Sequence, residues 1–156
     1  MTDELTELLH RARIQDTIHT YSKAIDRRDL DLLDEVFTDD AVFDYGNGAR
    51  HSGRDALRAL VDAATGRYVA TNHHCSTTIF ERLDGDEAET LTYVYAFHET
   101  PAGEHMHLWG CYEDVLKRTE RGWRIAERRV RVAGCKTTPA DELPERFERY
   151  ARTPVG

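Results

Sequence analysis

The stretch from Tyr21 to Tyr45 carries two tyrosines, Tyr21 and Tyr45, and two acids, Asp26 and Asp44, that suit a shared interior. Asp26 falls where a helix would end, and a carboxylate there meets the unfavourable end of the helix macrodipole. An acid serving helix stability alone would stand elsewhere. The plainer reading of Asp26 is a turn acid that bonds nearby amides or pairs with Arg27 or Arg28. Further on, His73 and His74 are adjacent on a stretch of strand character, where the period of two sends one inward and one to the outer face. Histidine is the side chain that titrates near neutrality, at about 6.5. A histidine as base, a carboxylate to orient it and a phenol to donate a hydrogen bond are what removal of a proton beside an activated carbon requires.

Other polar residues are candidates by parity. Tyr93, Tyr95 and Phe97 share one strand face, while Thr92, Val94, Ala96 and His98 share the other. The aromatic side is more often plain core than a ligand box, but in a cone the core face and the pocket face are the same surface. Tyr112 and Asp114 share a face with Leu108 and Leu116. Arg128 stands among Ala126, Val130 and Val132, where an unpaired buried charge would be costly. It therefore needs an anionic ligand or a carboxylate partner, Asp114 or Asp44.

The totals exclude several classes. The chain has 156 residues, 40% apolar and 32% charged, which fits one globular domain over 1–156 with a real core. A net charge of −8 argues against nucleic acid or an anionic membrane as partner. No apolar run reaches membrane-spanning length and the polar start is no signal peptide, so a cytoplasmic location is expected. Cys75, Cys111 and Cys135 are odd in number and lack a CxxC spacing, which reads as free thiols. There is no phosphate-binding glycine loop and no GxSxG, so no nucleotide cofactor is expected. His105-Met-His107 is a histidine pair on one strand face, but spacing fixes no third ligand, and no metal is expected.

Periodicity places the elements that must position these residues. A first helix is expected from Thr2 or Asp3 to Ile25, with Leu5, Leu8, Leu9 and Ala12, then Ile14, Ile18, Tyr21 and Ile25, on its buried side. Asp29 would cap a second helix that buries Leu30, Leu33, Val36 and Phe37, followed by a strand over Ala41–Tyr45. Ser52 and Asp55 resemble a capping box for a third helix that stops at Gly66. Val69–Leu83, Ala88–Glu99, His105–Arg118 and Trp123–Ala133 read as long strands joined by hairpins, and a short helix from Leu143 to about Ala151 ends the chain. Helices followed by a meander make an α+β fold. The expected sheet curls around the helices and leaves a conical pocket for a small molecule.

The turn Ile-Asp-Arg-Arg-Asp-Leu-Asp, the segment Phe-Thr-Asp-Asp-Ala-Val-Phe-Asp-Tyr, the pair His-His before Leu-Asp-Gly-Asp-Glu-Ala, and Gly-Cys-Tyr-Glu-Asp-Val-Leu before Gly-Trp-Arg-Ile carry a resemblance. Together with the element order, they resemble the SnoaL-like branch of the NTF2-like superfamily over nearly the whole chain. Within that branch the pattern is most similar to scytalone dehydratase, bile-acid 7α-dehydratase and hexachlorocyclohexane dehydrochlorinase. The resemblance implies a cone-shaped α+β barrel, with N-terminal helices packed in the concave face of a curved, mostly antiparallel sheet. It also implies a homo-oligomer, a trimer by analogy, with dimers common in the superfamily.

For the site, the resemblance implies an Asp26–His74 dyad, with His74 chosen over His73 by counting back from Asp84-Gly-Asp86. Tyr21 joins them as a catalytic donor, and Tyr45, Tyr93, Tyr112, Arg128, Asp44 and His98 are the expected substrate contacts. Tyr112 and Tyr93 depart from the scytalone dehydratase pattern, where an asparagine and a second histidine stand. The implied activity is a cofactor-independent, dehydratase-like elimination on a hydrophobic cyclic small molecule. Two alternatives use the same fold: an isomerase or polyketide-type cyclase with the same dyad, and a binding module without chemistry, in which the acid and the histidine would stand apart.

Overall fold

The computed structural model describes residues 2–140 and 148–155. Helix α1 spans Thr2–Arg27 and carries Asp3 and Glu4 in its first turn and Arg27 in its last, the charge order that suits the macrodipole. Its second half supplies the core with Ile14, Ile18, Tyr21, Ala24 and Ile25. The apolar stripe of its first half does not follow: Leu5, Leu8 and Leu9 are exposed. The helix stops at Arg28, whose φ of 53° is the left-handed turn usually given to glycine. Arg28 is nonetheless buried, and its guanidinium bonds Asp62 and the carbonyls of Thr153 and Pro154.

The expected second helix is smaller than its sequence suggests. Leu30–Leu32 form one 3₁₀ turn, α2 covers Leu33–Val36, and the Asp29 side chain makes no cap. Phe37 already opens strand β1, Phe37–Asp44. A short strand β2, Arg50–Ser52, takes Ser52 out of the expected capping box, and α3 (Arg54–Thr65) begins behind Gly53 without a side-chain cap. The long strands are β3 (Ala70–Asp84), β4 (Glu87–Glu99), β5 (Glu104–Thr119) and β6 (Gly122–Pro139). The expected terminal helix lies outside the described residues up to position 147, and residues 148–155 are not helical.

The strands form one sheet in the order β2-β1-β6-β5-β4-β3, parallel at β1–β6 and antiparallel elsewhere. This corrects the expected barrel. The order ends on β2 at one edge and β3 at the other, so the sheet is open and mixed, not a closed or strongly curled cone. The physical reason is that α1 lies against β3 and β6 while α3 lies against β1, so helices cover the apolar face without the sheet folding on itself. Ile14, Ile18, Phe37, Phe43, Leu57, Val61, Leu116 and Ile125 fill the space between. At the β5–β6 irregularity the backbones close in so far that a Cβ on Gly110 would strike the Arg131 carbonyl.

Candidate active site

Asp26 lies at the end of α1 and is 8% exposed. Both of its carboxylate oxygens are engaged by the start of β3. The Thr71 hydroxyl donates to Oδ1 at 3.1 Å, and the His73 backbone N–H donates to Oδ2 at 2.9 Å. The His73 ring Nδ1 stands 2.7 Å from Oδ1. These contacts satisfy an acid that the helix dipole disfavours. With Nδ1 facing a carboxylate, the proton belongs on Nδ1 and the lone pair on Nε2.

The partner of Asp26 is thus His73, not His74, which corrects the expected pairing. His74 is exposed on the outer face and packs on Tyr95, with ring centroids 5.8 Å apart. The reason lies in β3. Its pairing with β4 shifts between Cys75 and Thr78 and again between Phe80 and Arg82. Each irregularity adds one residue to β3 and the two together restore the parity, so Thr71, His73 and Cys75 lie on the same side as Leu83, and a fixed count back from the Asp84-Gly85-Asp86 turn that lands on His74 is one residue off.

His73 lines a cavity of about 190 Å³ between α1, the segment after α3, and the inner face of β3–β6. Four expected residues also line it: Tyr21, Tyr45, Tyr112 and His98. Tyr21 and Tyr112 meet edge to face at 5.7 Å. Burial pushes the phenol of Tyr21 well up and that of Tyr112 far above its usual range; it also raises Tyr45, so all three are hydrogen-bond donors at neutral pH. His98 is 9% exposed, with its ring 5.3 Å from that of His73. Burial, reinforced by His73, lowers its imidazole to about 4. Its Nδ1 is buried without a hydrogen-bond partner among the described residues, and the ring packs on Tyr68 at 4.7 Å.

Other expected contacts stand elsewhere. Tyr93 is 51% exposed on the outer face, because β4 buries Thr90, Thr92, Val94, Ala96 and His98 and turns its aromatic side outward. Asp44 spends Oδ1 on the Gly46 amide, at 2.7 Å, in the turn after β1. Arg128 is fully buried but does not line the cavity. Its Nε and Nη2 donate to the two oxygens of Asp114 at 2.7 and 2.6 Å, and its guanidinium lies 4.2 Å from the ring centroids of both Tyr21 and Tyr112. Burial opposes its charge, but Asp114 prevails and raises its pKa. Arg128 therefore supports the two tyrosines from behind. Of the two carboxylates suggested for Arg128, Asp114 is its partner and Asp44 is not.

Sequence reasoning missed Arg67, Tyr68 and Thr71, which line the cavity beside Met106 and Leu108. Thr71 stands two residues before His73, a spacing that puts it on the same strand face and was a usable signal. Arg67 and Tyr68 sit in a loop, where no periodicity points inward. Among the described residues, no group of three or more His, Cys, Asp and Glu is placed to hold a metal ion. No described helix is long and apolar enough to cross a membrane.

Residues 6–129 match the SnoaL-like domain family. The chain is 33% identical over 129 residues to an uncharacterized protein of Mycobacterium tuberculosis, Rv2910c, covering 80% of this chain and 86% of that one. It is similar to a solved structure from Novosphingobium aromaticivorans provisionally described as a scytalone dehydratase, with 25% identity, a TM-score of 0.75, and 100% and 98% of the two chains covered. It shares its fold with a hexachlorocyclohexane dehydrochlorinase from Novosphingobium barchaimii, with a TM-score of 0.82 over 90% and 99% of the chains at 19% identity.

Proposed function

The chain belongs to the family of SnoaL-like domains, and from that footing we propose that it is a cofactor-independent lyase that eliminates water, or a similar leaving group, from a small cyclic substrate with a largely hydrophobic ring. The observation that carries this reading is the Asp26–His73 pair in the cavity wall. A buried carboxylate committed to a histidine ring and to that histidine's own amide fixes tautomer and orientation together. Such an arrangement is what a general base needs and more than a passive binding cavity requires. The likeness to lyases supports the direction of the chemistry.

In the proposed reaction Nε2 of His73 takes a proton from the carbon beside a substrate carbonyl. The electron pair of the broken C–H bond moves into an enolate, whose oxygen accepts a hydrogen bond from Tyr45 or Tyr21. Asp26 stabilises the imidazolium. The enolate re-forms the carbonyl as the neighbouring carbon–oxygen bond breaks, and the departing hydroxide takes the proton back from His73 and leaves as water. His98, neutral at working pH, orients the leaving hydroxyl through its unpartnered Nδ1. Return of the proton to another carbon would make the same machinery an isomerase.

The test is incubation of the protein with single-ring β-hydroxy ketones, read by product mass. Loss of one water with wild type and none with His73→Ala, at unchanged circular dichroism, is the expected result. A product of unchanged mass would make the protein an isomerase, and full turnover by His73→Ala would remove the dyad from the mechanism.

A further inference from the structure

The cavity lining contains one permanent charge among its described residues, and it has no acid to answer it. Arg67 lies between α3 and β3, exposed at the rim of the cavity. Among the described residues no hydrogen bond or ion pair engages its guanidinium, which lies 5.9 Å from the Tyr68 ring centroid. No Asp or Glu among the described residues lines the cavity, and Asp26, just behind the wall, is spent on His73 and Thr71. Arg67 shares the cavity lining with Tyr45, whose phenol, raised chiefly by burial, is drawn partly back down by its hydrogen bond with Tyr21, by Arg128 and by Arg67. A second guanidinium, Arg152, closes the same rim from outside through the carbonyls of Thr65 and Tyr68. In a chain with 29 acids and 21 Lys and Arg, an unanswered cation at a cavity mouth is out of keeping with its surroundings.

Size narrows the class further. An apolar cavity of about 150 Å³ holds benzene, so about 190 Å³ accommodates one six-membered ring with a small substituent.

We propose that the substrate is a single-ring compound with an anionic substituent, a carboxylate or its equivalent, which Arg67 binds at the rim while the ring lies against His73 and His98. This rests on the proposed reading of the cavity as the substrate site. It makes Arg67 the residue that selects for charge, and it separates selection from the proton-transfer chemistry at the other wall. The positive rim also offsets the repulsion that a net charge of −8 exerts on an approaching anion.

The test uses benzoate and benzyl alcohol, similar in shape and different in charge, titrated into wild type, Arg67→Gln and Asp26→Asn by calorimetry. Wild type is expected to bind benzoate about tenfold more tightly than benzyl alcohol, the value of a charge-assisted hydrogen bond. Arg67→Gln should abolish that preference and leave benzyl alcohol binding unchanged. Asp26→Asn should keep it. Equal binding of the two probes by wild type, a preference that survives Arg67→Gln, or no saturable binding of either probe overturns the proposal. A retained preference alongside undiminished turnover by Asp26→Asn would instead sink the elimination mechanism and leave the anion site standing.

Discussion

Asp26 illustrates how much one side chain can be asked to do. It accepts from the Thr71 hydroxyl, the His73 amide and the His73 ring. An asparagine offers one accepting oxygen and turns its amide donor toward another donor. Asp26→Asn should therefore cost roughly 2–3 kcal/mol in urea unfolding and reduce turnover by orders of magnitude. His74→Ala, on the exposed face, should change stability by no more than about 0.5 kcal/mol and leave turnover intact; the two variants assayed side by side tell the adjacent histidines apart. His98 makes a separate prediction. Its imidazole is held down at about 4, so the folded state resists a proton that the unfolded chain accepts at about 6.5. The resulting stability is fully present above about pH 6.5 and is lost as pH falls toward 4, by up to about 3 kcal/mol. Urea midpoints against pH should show that fall in wild type and a flatter curve in His98→Asn.

At the scale of elements, the helices and long strands were legible because their apolar periods are sustained. The ends were less so. Ser52 and Asp55 carry the letters of a capping box, yet a backbone pairing draws Ser52 into β2. The parallel seating of β1 on β6 leaves no local mark, since it joins segments far apart in sequence. The site residues divide the same way. Asp26 was readable from its awkward place on a helix, and Tyr21, Tyr45 and His98 from parity or resemblance. His73 was not, because two adjacent histidines are alike in type and a count from a distant turn does not decide between neighbours on opposite faces. The Asp114–Arg128 pair, register partners on β5 and β6, tests how strongly those strands depend on a buried ion pair. Asp114→Ala should lose about 3–5 kcal/mol, since it strands a charge that is fully buried. Thermal unfolding measures it, and a loss below about 1 kcal/mol would show that Arg128 finds other support.

For the molecule as a whole, the open sheet divides the protein into unlike sides. The inner face meets the helices and bears the cavity. The outer face displays Tyr93, Trp109 and His74. The described end of the chain crosses to the cavity side. Arg152 donates to the carbonyls of Asp26, Thr65 and Tyr68; Tyr150 donates to the Thr71 carbonyl; and the Thr153 amide donates to the Arg27 carbonyl at 2.9 Å. Arg152→Ala should loosen that closure, lowering the melting temperature by a few degrees for about 1–2 kcal/mol and speeding amide exchange at Thr153. An unchanged exchange rate there would mean that Arg152 does not hold the segment.

The Asp26 peptide thereby looks two ways: its carboxylate toward His73, its carbonyl toward Arg152. One residue thus joins the cavity wall to the end of the chain. The Thr153 amide, bonded to the Arg27 carbonyl next in the chain, is placed as a remote gauge of the cavity: a ligand that displaces Asp26 is expected to shift its resonance without touching it.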